Sequence, residues 1–294
     1  MKFTITLEIQ PSGLFGVPEN TKTVLPAGPG KFRGDIFHNP TLTKVGYGVL
    51  SQYRSEKEAI NIKLNLGKIK ANLQDNFIFM ELEADTSGEA YNNAILILNQ
   101  FLQHLSLSMK RLFSYKSLLI EGEENKVYPL PKYFTLASVT GYNLKHLRNE
   151  IENTAKVFQL SDPLFDKALQ YYEHALYLFE NRLNWINFES THFKYLIAAA
   201  FLNLWKAITT IIGDPSKNSD YQSRYKLLGF DYNFFKTKLE YIRELRNNFD
   251  IAHYHIEDNK NKIDKNFQDA RDITENTLLA YRKYLSEGKT FFKK

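Results

Sequence analysis

The sequence predicts two successive domains, an α+β domain over residues 1–142 and an all-α helical bundle over residues 143–294. In the first half, short segments alternate apolar with polar residues, which is typical of strands with one buried face. In the second half, apolar residues recur every three or four positions, which is typical of amphipathic helices. The period changes near Asn143, where "NLKHLRNEIENTAKVFQL" predicts a connecting helix.

The first domain is predicted from three strand-like segments and one long helix. The segments "KFTITLEI", "AINIKLNL" and "NFIFMELEA" are rich in β-branched and aromatic residues and are separated by turn-forming ones. The helix follows them, with Ser87 as its expected N-cap. Its expected buried face contains Ala90, Ala94, Leu98, Phe101 and Leu105. The loop "LPAGPGKFRGD" lacks the spacing of a phosphate-binding P-loop, so this half shows no catalytic motif.

Four principal helices predict a bundle in the second domain. The segment "SDPLFDKALQYYEHALYLFENRLNW" has Ser161 or Asp162 as its expected N-cap. The segment "ESTHFKYLIAAAFLNLWKAITTIIGD" should end at Gly213. After a polar connection with one short helix come "YNFFKTKLEYIRELRNNFDIAHYHIE" and "DKNFQDARDITENTLLAYRKYLSEG", of which the last should end at Gly288.

Composition excludes several classes of site. The chain has no cysteine, which excludes disulfides, zinc–thiolate centres and thiol nucleophiles. Its seven histidines form no His-x3-His or His-Glu-x2-His pattern, so we expect no metal and no cofactor. The net charge of +5 allows an anionic partner. The most apolar stretch, residues 195–213, is interrupted by Asn203 and Lys206, which predicts a buried helix and a cytoplasmic protein without a membrane partner.

The segment "LRNNFDIAHYH" combines cationic, amide and imidazole groups inside a predicted helix. On a helical wheel Arg246, Asp250 and His253 share one face over about 10 Å, and Asn247 lies one step round. Ile242 begins the neighbouring apolar stripe, which continues with Leu245, Phe249, Ala252 and Ile256. His255 lies about 200° from His253 and therefore on another face.

Two interpretations of this face follow from its residues. Arg246 and Asp250 could form an i,i+4 ion pair that contributes a few tenths of a kcal/mol, roughly, if it is exposed. Alternatively, a guanidinium binds phosphate with a fork of donors, and an imidazole such as His253 transfers protons near neutral pH. These groups suit metal-independent cleavage of RNA by attack of the ribose 2′-OH. A symmetric dimer would bring two histidines and two arginines to one cleft.

The segment "RNNFDIAH" resembles the Arg-Asn…His signature of HEPN domains, with six residues between Arg246 and His253. The resemblance extends over residues 160–288 and implies a HEPN-like bundle. It also implies a metal-independent endoribonuclease that acts as a homodimer with a composite active site. In that family, Arg246 would stabilise the phosphate, His253 would be general base or acid, and Asn247 would orient the pair.

The same resemblance suggests supporting residues and a biological setting. Asp250 on the shared face, and Glu189 or Thr191 near the start of the second helix of the bundle, could support the arginine. The setting would be a toxin, anti-phage defence or RNA processing, with RNA as substrate and with a protein partner in a defence or toxin–antitoxin system. The α+β domain would be a sensor or adaptor.

One departure and two alternatives accompany this interpretation. HEPN toxins paired with a nucleotidyltransferase often carry His-x-Tyr, but here Tyr254 directly follows His253, which argues against that pairing. The first alternative is a non-catalytic module that binds RNA, a nucleotide or a protein, and the second is an antitoxin-like partner of a nucleotidyltransferase. A further set of aromatic residues could stack on bases, although helical spacing favours a core or dimer face. These are Tyr171, Tyr172, Tyr177, Phe179 and Trp185.

Overall fold

A computed structural model describes most of both halves of the chain. The described residues are 1–10, 61–74, 77–122, 126–129, 144–160, 162–181, 191–214, 220–231, 233, 236–238, 240–243 and 260–292. The strands are β1 (Lys2–Gln10), β2 (Asn61–Leu66), β3 (Ile69–Gln74), β4 (Phe77–Glu83), β5 (Ser114–Glu121) and β6 (Lys126–Pro129). The helices are α1 (Ser87–Ser108), α2 (Leu144–Val157), α3 (Pro163–Asn181), α4 (Thr191–Ile212), α5 (Tyr221–Leu227) and α6 (Lys260–Ser286).

The chain therefore has an N-terminal antiparallel sheet followed mainly by helices, and the coarse order predicted from the sequence is confirmed. Two compact units emerge, one formed by residues 1–99 and 113–156 and the other by residues 100–112 and 157–294. Helix α1 contributes residues to both units, because its last turns belong to the second.

The sheet has the strand order β2-β3-β4-β1-β5-β6, and its described pairings are antiparallel. Its central strand β1 pairs with β4 on one side and with β5 on the other. Alternation puts one set of side chains on the buried face, as predicted for the three strand-like segments. In β1 this set is Phe3, Ile5, Leu7 and Ile9. Strand β3, a partner of β2 across the turn at Gly67, was missed because "IKANLQ" alternates less clearly.

The buried face of α1 is the predicted one, since its five expected core residues are all fully buried. The N-cap of α1 is Thr86, one residue before the expected Ser87. The hydroxyl of Thr86 accepts from the backbone N–H of Glu89 at 3.1 Å, and the Glu89 carboxylate accepts from the N–H of Asp85 at 2.9 Å. Two side chains thus satisfy donors at the start of the helix, as in a capping box.

The second unit is built around α3, α4 and α6, which contact one another pairwise. Its core is aromatic and aliphatic and includes Tyr172, Phe201, Phe267 and Tyr281. Asp162 is the N-cap of α3, because its carboxylate accepts from the N–H of Phe165 at 2.8 Å. That choice between the two predicted caps could not be made from the sequence, since Ser and Asp cap helices equally well.

The ends of the long helices also follow the sequence. Gly213 and Gly288 follow α4 and α6 with φ of 91° and 74°, a region in which glycine has no steric penalty. Asn203, which interrupts the apolar stretch of α4, is buried and donates to the carbonyl of Ala199 at 2.7 Å. The side-chain amide is therefore satisfied within its own helix.

Candidate functional site

The predicted catalytic residues Arg246, Asn247 and His253 lie outside the described residues, as do the supporting residues Asp250 and Glu189. Thr191 is the first residue of α4. The geometry of the expected catalytic face therefore stays a prediction. Residues 240–243, which come shortly before Arg246 in the chain, are among the described residues.

Residues 240–243 are helical, and Ile242 is completely buried in the core of the second unit. Its neighbour Tyr241 donates its hydroxyl to the side-chain carbonyl of Asn266 on α6 at 2.9 Å. Lys236 and Glu240 form an exposed i,i+4 ion pair at 3.9 Å. Residues 240–243 thus form a helical segment that contacts α6, and Ile242, the first member of the predicted apolar stripe, faces the core.

A polar cluster that sequence reasoning missed is centred on Glu275 of α6, whose side chain is fully buried. Tyr172 of α3 donates its hydroxyl to the carboxylate at 2.5 Å. Arg271 lies 3.0 Å away through Nε, and Lys110 lies 3.4 Å away through Nζ. Arg271 also donates to the carbonyl oxygen of Lys110 at 3.0 Å. The cluster joins α3 and α6 to the residues that follow α1.

The electrostatics of this cluster are those of a carboxyl held in a protein core. Burial raises the pKa of Glu275, although Arg271, the Tyr172 hydroxyl and Lys110 each oppose the shift. Burial, followed by the charge of Glu275, raises the pKa of Tyr172 well above its usual range. The phenol therefore stays protonated and acts as a hydrogen-bond donor. Tyr172 and Glu275 are both fully buried, so we assign the cluster a role in holding the bundle together.

The sequence did carry one signal for this cluster. Arg271 and Glu275 are spaced i,i+4 on α6, and Glu275 falls among core positions of the helix such as Ile273 and Leu278. A carboxylate inside an apolar stripe indicates a buried partner elsewhere in the fold. The identity of that partner, Tyr172, depends on how α3 packs against α6, which periodicity does not specify.

A second polar group ties the C-terminal residues to the start of α3. Asp162 accepts hydrogen bonds from the hydroxyl of Tyr281, at 2.5 Å, and from that of Thr290. Burial, followed by the hydrogen bond to Asp162, raises the pKa of Tyr281 to about 12. The ring of Phe291 stacks on Tyr281 with centroids 5.2 Å apart. The segment after α6 is therefore fastened to the N-terminus of α3.

The aromatic residues that the sequence suggested for base stacking differ in how far they are buried. Tyr172 is fully buried, and Phe179 stacks on Phe267 in the core with centroids 3.5 Å apart. Trp185 lies outside the described residues. Tyr171 and Tyr177 are only partly buried. The core interpretation thus holds for Tyr172 and Phe179, whereas two tyrosines of α3 keep some exposed surface.

Clusters of metal-binding side chains and membrane-spanning helices are both missing from the described part of the chain. Within it, His, Asp and Glu side chains form no group of three that could hold a metal ion. None of the helices described is long and apolar enough to cross a membrane.

Comparison with protein-family models, with curated proteins and with solved structures found no match to this chain.

Proposed function

We propose that the protein is a HEPN-type, metal-independent endoribonuclease that cleaves RNA by attack of the ribose 2′-OH in a toxin or anti-phage defence setting. One observation carries the proposal. The described helical residues 240–243, of which Ile242 is fully buried, come before the segment Arg246-Asn247-x5-His253 with two residues between. If this helix continues, Arg246 lies about 40° from Ile242 and His253 lies almost above Arg246. Both would border the buried stripe, where a shared cleft could form.

The chemistry follows from those residue types. His253 would remove the proton of the 2′-OH or protonate the leaving 5′ oxygen, and a second copy of the chain would supply the other role. Arg246 would stabilise the negative charge that develops on the phosphate, and Asn247 would orient the pair. Asp250, Glu189 and Thr191 are the proposed supporting residues. The products would be a 2′,3′-cyclic phosphate and a 5′-hydroxyl.

RNA cleavage by the purified full-length chain in EDTA tests the proposal. We expect cleavage that leaves 2′,3′-cyclic phosphate ends, and a loss of at least about 100-fold in Arg246→Ala and in His253→Ala, since each removes a group that acts in the transition state. The matched controls are Arg148→Ala, an exposed arginine of α2, and His255→Ala, since a continued helix would put His255 about 200° from His253. Both controls should cleave at the wild-type rate.

RNA cleavage at the wild-type rate by the His253→Ala variant would contradict the catalytic role of His253. Cleavage that requires added magnesium would contradict the metal-independent mechanism. RNA binding without cleavage under any condition would instead support the non-catalytic module.

A further inference from the structure

A basic and aromatic surface runs along the outer side of α3 and reaches α4. We name it the Lys–Tyr surface, and its members are Lys167, Tyr171, His174, Tyr177 and Lys206. Lys167, His174 and Lys206 are exposed, and the two tyrosines are partly exposed. Positions 167, 171 and 174 are spaced by four and three residues, so they form one stripe. All five side chains belong to the second unit.

Two ammonium groups lie near the ring of Tyr171. Lys206 Nζ lies 5.4 Å from the ring centroid, and Lys167 Nζ lies 6.0 Å from it. Cation–π contacts of this kind at exposed sites are weak, so the lysines can exchange them for a stronger anionic partner. Among the described residues neither lysine forms an ion pair with a carboxylate. Their charges therefore remain available to an external anion.

Glu173 and Glu180 of α3 lie away from Tyr171, about 200° and 180° from it around the helix. Glu173 accepts a hydrogen bond from Gln103 at 2.8 Å. Lys167 and Lys206 thus bring two positive charges to Tyr171, in a chain whose net charge is already +5. Next to it, the rings of His174 and Tyr177 stack with centroids 6.3 Å apart and an angle of 28°.

We propose that the Lys–Tyr surface binds single-stranded RNA, with Tyr171 stacking on a base and with Lys167 and Lys206 contacting the flanking phosphates. An aromatic ring with two cations beside it offers a single strand both a stacking face for a base and contacts for phosphates. A purely electrostatic partner would need the lysines but would gain nothing from the ring. The inference rests on the proposed function, since it names where the substrate is held away from the predicted catalytic residues.

Binding of a fluorescent 2′-O-methyl oligouridylate to the full-length chain tests this assignment, because that probe lacks the 2′-OH nucleophile and stays intact. We expect Tyr171→Ala to weaken binding by about 5- to 150-fold and Tyr171→Phe to retain it, since phenylalanine keeps the stacking face. The double variant Lys167→Ala/Lys206→Ala should lower the slope of log K against log salt by about 1.4. The control is Lys226→Ala/Lys283→Ala, which removes the same charge from exposed positions of α5 and α6.

Equal losses in the two double variants would overturn the proposal, because the attraction would then be non-specific. An acidic peptide that binds as tightly as the RNA, with no effect of Tyr171→Ala, would also overturn it and indicate a protein partner. If cleavage depends on His253 but the Tyr171→Ala variant binds RNA as tightly as the wild type, the Lys–Tyr surface is not the binding site. The nuclease proposal would then remain intact. Tyr171-dependent binding without any cleavage would support the surface and refute the nuclease.

Discussion

His104 of α1 is a histidine enclosed by the second unit. Its side chain is fully buried, and within the described part of the chain neither ring nitrogen has a hydrogen-bond partner. Its ring packs edge-on against Phe165 with centroids 5.3 Å apart. Burial, followed by the charge of Arg282, lowers the pKa of His104 to about 3. The residue behaves as a neutral aromatic side chain in the fold and as an ordinary base in the unfolded chain.

This difference predicts a pH-dependent stability. Between pH 6.5 and about pH 3 the unfolded chain binds a proton at His104 that the folded chain does not. The contribution of His104 to the free energy of unfolding therefore falls as the pH falls, by up to about 1.4 kcal/mol per pH unit. We expect His104→Phe to lose this dependence, as measured by urea unfolding at several pH values across that window.

A second variant, His104→Leu, also removes the imidazole from this site and should lose the same dependence. Identical pH profiles for His104→Phe and the wild type would contradict the assignment.

At the scale of one helix, α3 shows which rules carry over from sequence to structure. Its predicted N-terminal cap and Pro163 at the first position are confirmed. Its buried face is broad. Phe165, Leu169 and Leu176 are fully buried, as are Ala168, Tyr172 and Ala175. The helix packs against both α4 and α6, so two neighbouring faces are buried.

The stability of α3 should depend on Asp162, because its carboxylate caps this helix and also binds the C-terminal residues. We expect Asp162→Ala to lower the free energy of unfolding by at least about 1–2 kcal/mol, the usual contribution of a cap. Asp162→Asn should retain most of the stability, since its amide oxygen still accepts from the N–H of Phe165. Thermal or urea unfolding measures both variants.

Asp162→Asn is also the control for that experiment, because it keeps an acceptor for the N–H of Phe165. An equal loss in Asp162→Ala and Asp162→Asn would mean that the cap hydrogen bond contributes little.

At the scale of the whole molecule, the proposed reaction needs two histidines, whereas each chain supplies one catalytic candidate. We therefore expect a homodimer of about twice the chain mass of 34.3 kDa. Sedimentation velocity at the concentrations used for RNA cleavage measures it. A chain that cleaves RNA as a monomer would contradict the composite active site, although it would leave the roles of Arg246 and His253 open to the substitution test.

The sequence by itself determined the order of the elements, because hydrophobic periodicity and cap residues are local properties. Strands β1, β2 and β4, the long helices α3, α4 and α6 and the glycines that end α4 and α6 follow from that local information, whereas β3 does not. The sequence also suggested Arg246 and His253 through spacing and family resemblance, and those two residues stay a prediction.

Only the tertiary structure decided which side chains of a helix meet others far along the chain. Tyr171 and Tyr172 are neighbours in the sequence, yet Tyr172 binds the buried Glu275 while Tyr171 lies between two lysines near the surface. Adjacent residues on a helix differ by about 100°, so a helix with two packed faces separates them. Which of them is buried depends on where α4 and α6 dock, and that is a property of the packed bundle.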